Sequence, residues 1–174
     1  INCKNFKFRN YHYWKSTKVI TVVFKLQSSL FYYVLPKIKK ILVPLDGSKF
    51  SEKALQYACE MVKAFDAKII LLYVVEKSPT LNILDRNEYL KIIQKYGTNT
   101  LKKANDVVLK KGINAKTILK KGNIVNEIEK IVKTEKCDLI IVGNKGLGTI
   151  TRVLLGSVSN KLAQSSSCSL LIVK

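Results

Sequence analysis

The sequence predicts an α/β fold, a Rossmann-like doubly wound sandwich in which a five-stranded parallel sheet has helices on both faces. Two observations carry this prediction. From residue 37 onward, short apolar runs alternate with segments of helical periodicity, and strands that are joined through helices run parallel. Three of the runs, ILV, KIILLYVV and CDLIIV, are apolar throughout. Such runs are typical of parallel strands that are covered on both faces.

The first half of this region predicts two strands and two helices. The stretch KIKKILVPLD is a strand that ends in Pro44, Leu45 and Asp46. The next segment, SKFSEKALQYACEMVKAFDA, repeats apolar residues at helical spacing and predicts a helix. Lys68 to Val75 form a second strand, and a polar loop around Pro79 leads to a long helix from about Arg86 to Lys111, which Gly112 ends.

The second half predicts three strands and two helices. The stretch INAKTILKKG alternates in polarity and predicts a half-exposed strand, after which Asn123 begins a helix. CDLIIVG is a fully apolar strand. A glycine-rich loop then precedes a short helix from about Ser157 to Gln164, and SCSLLIVK forms the last strand. Five strands and four helices result.

Residues 1–36 differ from the domain predicted for residues 37–174. They contain no Asp or Glu, and they hold nine of the fifteen Phe, Tyr and Trp residues together with the only histidine. We expect this extension to lie outside the domain. Three interpretations stay open: in-frame upstream sequence before a start near Val34 or Leu35, a membrane tether that would make the protein a membrane-tethered nucleotide sensor, or an ordered extension.

Charge and cysteine content limit the function classes. The four cysteines form no C-x-x-C pair, which argues against a disulfide framework or a zinc site and favours a reducing cytoplasm. The formal charge is +19, of which +13 remains when the six basic residues before Lys37 are subtracted. A basic nucleic-acid-binding protein is therefore the alternative class. A solvated basic face is favoured over nucleic-acid binding, because no aromatic set is interleaved with the lysines between Lys102 and Lys121.

The stretch GNKGLGTITRVLLGSVSNKL is the strongest functional signal. It opens with Gly143 at the end of a strand and closes with Gly156-Ser157 at the start of a helix. A helix N-terminus has unpaired N–H groups and a partial positive charge, which suits a phosphate. No P-loop sequence is present, and Thr151 stands where a dinucleotide fingerprint needs its third glycine.

The spacing Gly143-x2-Gly146-x9-Gly156-Ser157 resembles the nucleotide signature of the universal stress protein family. The opening KKILVPLDGSKFSEKALQYA is similar to that family's first strand and helix, and the last third of the chain is similar as well. The resemblance covers about residues 37 to 174. It implies a sheet of strand order 3-2-1-4-5 and places the chain with the family's ATP-binding members.

The resemblance also implies roles for individual residues. Pro44 and Asp46 would border the base and the ribose, and the backbone at Val74 would meet adenine. Lys145 stands where some nucleotide-binding members have histidine, and it would pair with phosphate. The remaining residues would line the ribose and hold the phosphates: Gly143, Gly146, Gly156, Ser157, Val158 and Ser159.

These inferences favour an ATP-binding regulatory or stress-response module over an enzyme. The domain after residue 36 contains no histidine, so neither a Ser-His-Asp nor a Cys-His set can be assembled in it. ATP would bind with Mg²⁺, and at most a slow ATPase activity is expected, with Asp46 the one carboxylate near the loop. The resemblance further implies a homodimer paired through Leu170 to Lys174, and an unidentified protein partner.

Overall fold

The computed structural model describes residues 20–23, 38–76, 83–147 and 155–174. The described residues form six strands and four helices. In sequence order these are β1 (Ile20–Val23), β2 (Lys40–Pro44), α1 (Lys49–Phe65), β3 (Lys68–Val75), α2 (Ile83–Lys110), β4 (Ala115–Lys121), α3 (Ile124–Glu135), β5 (Leu139–Gly143), α4 (Ser157–Ser165) and β6 (Ser169–Val173).

The strands form a single sheet in the order β1-β6-β5-β2-β3-β4. The five predicted strands, β2 to β6, all run parallel to one another. Counted from β2, their order is 3-2-1-4-5, so the predicted fold class is confirmed. The predicted helices are present as well, although α2 begins at Ile83 rather than near Arg86.

Apolar side chains of the central strands pack on both faces of the sheet, because successive residues of a strand point to opposite sides. Ile41 and Val43 of β2 belong to the cluster that packs against α1 and α2. Leu42, between them, belongs to the cluster that packs against α3 and α4. All three side chains are fully buried, which explains why the strand is a continuous apolar run.

The carboxyl ends of β2 and β5 lie side by side at the middle of the sheet, since these two strands pair in parallel. In the sheet, β3 lies beyond β2 on one side, and β6 lies beyond β5 on the other side. The chain therefore leaves β2 and β5 in opposite directions. Ligands of open parallel sheets bind in the crevice at such a switch point. The loops after β2 and β5 are therefore the place to look for a site.

β1 was not predicted. Its backbone pairs antiparallel with β6, with Ile20 opposite Val173 and Val23 opposite Leu170. The sequence ITVV is rich in β-branched residues, which favour strands. The other residues of the 1–36 extension lie outside the described part of the chain, and the prediction that this extension is not part of the domain stays a prediction.

Candidate functional site

Asp46 connects the loop after β2 to the loop after β5. Pro44 is the last residue of β2. Two residues later, Oδ1 of Asp46 accepts a hydrogen bond from the Ser48 N–H at 2.9 Å, and Oδ2 accepts one from the Leu147 N–H at 3.2 Å. A Cβ atom on Gly146 would lie 2.7 Å from the same Oδ2. The structure thus brings Asp46 and Gly146 into direct contact.

The N-terminus of α4 differs from those of α1 and α3. The Ser48 side chain caps α1 by accepting a hydrogen bond from the Ser51 N–H, and the Asn123 side chain caps α3 by accepting one from the Asn126 N–H. α4 begins after Gly156, which makes no side-chain cap hydrogen bond. The first amide groups of a helix have no acceptor within their own helix. At α4, the N-cap residue Gly156 has no side chain that could accept a hydrogen bond from these amides.

Charge follows the same contrast. The first turn of α1 contains Glu52 and that of α3 contains Glu127, and each carboxylate complements the positive end of a helix dipole. The first turn of α4 contains no acidic residue. The amides of Ser157, Val158 and Ser159 therefore form a positive helix end that lacks both a capping side chain and an acidic side chain. Such an end is suited to an external anion.

Backbone contacts hold this helix end against the end of β5. The Gly156 N–H donates to the carbonyl of Asn144 at 2.6 Å, and the Asn144 N–H donates to the carbonyl of Val173 at 2.7 Å. The buried Ser159 hydroxyl lies 3.1 Å from the Asn144 carbonyl and 3.0 Å from the Gly156 carbonyl, to which it donates. The Ser159 hydroxyl thus positions the helix, whereas Ser157 is exposed.

Gly143 has a packing reason to be glycine. A Cβ atom there would lie 2.7 Å from the carbonyl carbon of Phe50 and 2.9 Å from its carbonyl oxygen. Phe50 belongs to the first turn of α1, so the glycine lets α1 approach the end of β5. Lys145 is half-buried and lies in the same loop, one residue before Gly146. Arg152 lies outside the described residues.

The backbone of Val74 points past the end of β2. The Leu45 N–H donates to the carbonyl of Leu72 at 2.8 Å, so the backbone groups of Leu72 face β2. Because these groups alternate in direction along a strand, those of Val74 face the same side, beyond the last residue of β2. The Val75 carbonyl accepts from the Gly122 N–H on the opposite side, as this alternation requires. Val74 thus offers an N–H and a carbonyl toward the crevice.

The uncapped helix end, the loop joined by Asp46 and the backbone of Val74 lie at the carboxyl ends of parallel strands. A model of the universal stress protein family matches residues 37–174. The chain belongs to the universal stress protein family. This universal stress protein is 32% identical over 157 residues to universal stress protein MJ0531 of Methanocaldococcus jannaschii, which covers 84% of this chain and 92% of the relative.

Further comparisons agree with the family and the fold. YxiE of Bacillus subtilis, another universal stress protein, is 34% identical over 145 residues, which cover 78% of this chain and 98% of YxiE. The solved UspA of Lactobacillus plantarum has a TM-score of 0.74 at 24% identity, over 79% of this chain and 99% of UspA, and shows the shared fold. A universal stress protein solved in complex with cAMP has a TM-score of 0.62 at 29% identity, over 79% of this chain and 98% of that one.

Two tyrosines border the site of this universal stress protein, and sequence reasoning did not find them. The Tyr96 side chain of α2 covers Gly47, whose φ of +84° is a glycine conformation. The rings of Tyr73 and Tyr96 meet edge to face, with centroids 6.2 Å apart. Burial, and then the neighbouring Tyr96, Asp46 and Tyr89, raise the pKa of Tyr73 to about 12. The phenol of Tyr73 therefore stays neutral to a higher pH than an ordinary tyrosine.

The spacing of Tyr96 is a sequence signal, although it does not by itself assign the residue to the site. Tyr89 and Tyr96 are seven residues apart and so lie on one face of α2, about two helical turns from each other. A stripe of apolar residues at helical spacing, which includes Leu90, Ile93 and Leu101, marks the buried side of α2. An aromatic residue at the margin of that stripe remains unassigned unless the tertiary neighbour, here Gly47, is known.

Among the residues that the structure describes, no group of three or more His, Cys, Asp and Glu side chains could hold a metal ion. In the same part of the chain, no helix is long and apolar enough to cross a membrane. Cys59, Cys137 and Cys168 are free thiols. Burial is the main cause that raises the pKa of Cys137 to about 12 and that of Cys168 to about 11.

Proposed function

We propose that this universal stress protein is a regulatory module that binds an adenine nucleotide, with ATP as its ligand. The observation that carries the proposal is the start of α4, which has neither a cap side chain at Gly156 nor a first-turn acidic residue. Helices α1 and α3 each have a cap side chain and an acidic residue in the first turn. A relative at 29% identity was solved with cAMP, which supports an adenine nucleotide as the ligand class.

The phosphates would be held by backbone groups. The amides of Ser157, Val158 and Ser159 point along the helix axis toward the crevice, and the exposed Ser157 hydroxyl adds a donor. Lys145, in the loop after β5, would contribute a positive charge. Mg²⁺ would accompany ATP through the phosphate oxygens. This arrangement suits a polyphosphate because fixed N–H dipoles bind it without reorganising the helix.

The base would lie over the end of β2. Val74 supplies one donor and one acceptor on the side of β3 that extends past β2, which matches the amino group and ring nitrogen of adenine. Pro44 and Asp46 would form the border of this region, next to the ribose. We expect discrimination against guanine, because its exchanged donor and acceptor pattern would leave the Val74 groups unpaired.

Binding, rather than turnover, is the proposed activity. Asp46 is the carboxylate that contacts the loop, and both of its oxygens accept hydrogen bonds from backbone N–H groups. A general base must lie within hydrogen-bond reach of an attacking water, whereas these two bonds orient the Asp46 carboxylate toward the loop backbone. We infer that Asp46 instead holds the loop closed, so that bound nucleotide changes the stability and the surface of the protein.

The test is a cap introduced at the proposed phosphate site. Gly156 has φ −70° and ψ 164°, a conformation open to any N-cap residue. In Gly156→Asp, the carboxylate would accept from the amides that phosphate needs and would repel the ligand. Asn123→Asp makes the same kind of cap at α3 and is the matched control. Calorimetry with ATP and Mg²⁺ should show a loss of roughly tenfold or more in affinity for Gly156→Asp alone.

Equal ATP affinity in wild type, Gly156→Asp and Asn123→Asp would refute the phosphate site, provided that circular dichroism shows all three folded. Titrations with ATP, AMP, cAMP and GTP on the wild type test the ligand class separately. No binding of any adenine nucleotide would refute the proposed function as a whole.

A homodimer through Leu170 to Lys174 is a further part of the proposal. It would use the outer edge of β6, which is paired with β1 in the single chain. A strand that exposes apolar residues at an open edge is an association site.

A further inference from the structure

We propose that β1 blocks the outer edge of β6: residues 20–23 occupy a strand-addition site there and compete for it with a second copy of the chain. The competition rests on the homodimer proposed above and does not depend on nucleotide binding. Its starting point is the antiparallel register of β1 on β6, which runs through four consecutive residue pairs from Ile20 opposite Val173 to Val23 opposite Leu170.

The direction of the backbone groups shows which residues make this ladder. The carbonyl of Val173 accepts from the Asn144 N–H, so the backbone groups of Val173 face β5. Alternation along the strand then directs the groups of Leu171 toward β5 and those of Leu170 and Ile172 toward β1. Without β1, the amides and carbonyls of Leu170 and Ile172 would form an open edge.

The register identifies the inward-facing residues of β1. Thr21 is opposite Ile172 and Val23 is opposite Leu170, so these two pairs exchange hydrogen bonds across the ladder. Ile20 and Val22 present their backbone groups to the other side. The four-residue strand therefore satisfies both outward-facing residues of β6 that the described edge contains.

A second copy fits the same edge. Two β6 strands that pair antiparallel about Leu171 would place Leu170 of one copy opposite Ile172 of the other, twice by symmetry. These are the same backbone groups that bind β1, so one edge cannot hold both. Since each copy must release β1 before it can pair, the dissociation constant of the dimer rises with the inverse square of the fraction of chains whose edge is free.

The test uses full-length chains with single proline substitutions. In Val23→Pro the inward N–H that donates to β6 is lost, whereas in Val22→Pro the lost N–H faces outward, a position where edge strands accept proline. Hydrogen exchange should show faster exchange of the Leu170 and Ile172 amides in Val23→Pro than in the wild type at low protein concentration. Val22→Pro should resemble the wild type.

Sedimentation equilibrium over a concentration series measures the competition. We expect Val23→Pro to dimerise with a dissociation constant about tenfold lower than that of the wild type or of Val22→Pro. Unchanged exchange in Val23→Pro would overturn the assignment of β1 to this edge. Faster exchange with no gain in dimerisation would overturn the competition with a second copy. Equal effects of the two prolines would overturn the ladder that the register defines.

Discussion

Gly143 and Gly146 belong to one sequence signature, but the structure predicts different results when each is changed to alanine. A methyl group on Gly143 would lie 2.7 to 2.9 Å from the backbone of Phe50. Backbone at the start of α1 cannot rotate away, so α1 and β5 must separate by several tenths of an ångström. Overpacking of this kind costs about 1–3 kcal/mol of unfolding free energy. For a chain of this length, each kcal/mol lowers the melting temperature by about 2–4 °C.

A methyl group on Gly146 meets a different neighbour. It would lie 2.7 Å from Oδ2 of Asp46, and the next Asp46 atom is 3.9 Å away. A side-chain carboxylate can turn, so we expect a stability loss below about 0.5 kcal/mol, as for most surface changes. The Leu147 N–H would lose its acceptor, and the loop that carries Lys145 would shift. ATP affinity should therefore fall in Gly146→Ala while the fold is kept.

Urea denaturation and calorimetry with ATP, performed on both variants, separate these effects. The reasoning predicts a lower unfolding midpoint for Gly143→Ala and a near-normal midpoint with weaker ATP binding for Gly146→Ala. Equal stability losses in the two variants would refute it, because the neighbours would then not decide the outcome. A stable Gly143→Ala variant would refute the close approach of Phe50.

Three further predictions concern stability and reactivity. Lys136 ends α3 in the left-handed conformation, with φ 54° and ψ 56°, which glycine adopts more readily than lysine. Lys136→Gly should therefore raise the unfolding free energy, measured in urea, by about 0.5–1 kcal/mol. Lys133→Gly, inside the helix, should lower it by a similar amount. The pKa of Tyr73 is raised from 10.0 to about 12, so its contribution to stability is complete below pH 10 and is lost as the pH rises toward 12. Denaturation at pH 9 and pH 11 should show a smaller drop in Tyr73→Phe than in the wild type. The buried thiols of Cys59 and Cys137 have raised pKa values, so peptide-resolved alkylation at pH 8 should be slow in the folded protein and fast in urea; fast labelling of the folded protein would contradict their burial.

The sequence was sufficient to place the five parallel strands along the chain, because four of them are dense apolar runs between helical segments and the fifth, β4, alternates in polarity. The strand order 3-2-1-4-5 came from the family resemblance. β1 could not be predicted in the same way. Ile20–Val23 is a four-residue strand between lysines, and it is defined by its pairing with β6 rather than by its own periodicity. Its neighbouring aromatic and basic residues left three interpretations of the segment open: in-frame upstream sequence, a membrane tether or an ordered extension.

The loop of the candidate site was predictable from the sequence, but the contacts and role of each residue in it were not. The glycine spacing marks the loop, yet Gly143 meets the backbone of Phe50 and Gly146 meets the carboxylate of Asp46, and neither neighbour is adjacent in sequence. The Ser159 hydroxyl, expected from the resemblance to face phosphate, donates to backbone carbonyls. Only the tertiary arrangement shows which donors have an acceptor already.

Phosphate binding at the start of α4 can be tested by an amide chemical-shift titration of ¹⁵N-labelled protein with ATP and Mg²⁺. Three helix N-termini serve as an internal comparison, since the Ser51 and Asn126 amides already donate to the Ser48 and Asn123 side chains. We expect the amides of Ser157 and Val158 to shift most among these helix ends, and the starts of α1 and α3 to change little. Shifts of equal size at all three ends, or none at α4 while ATP binds, would contradict a phosphate site at α4.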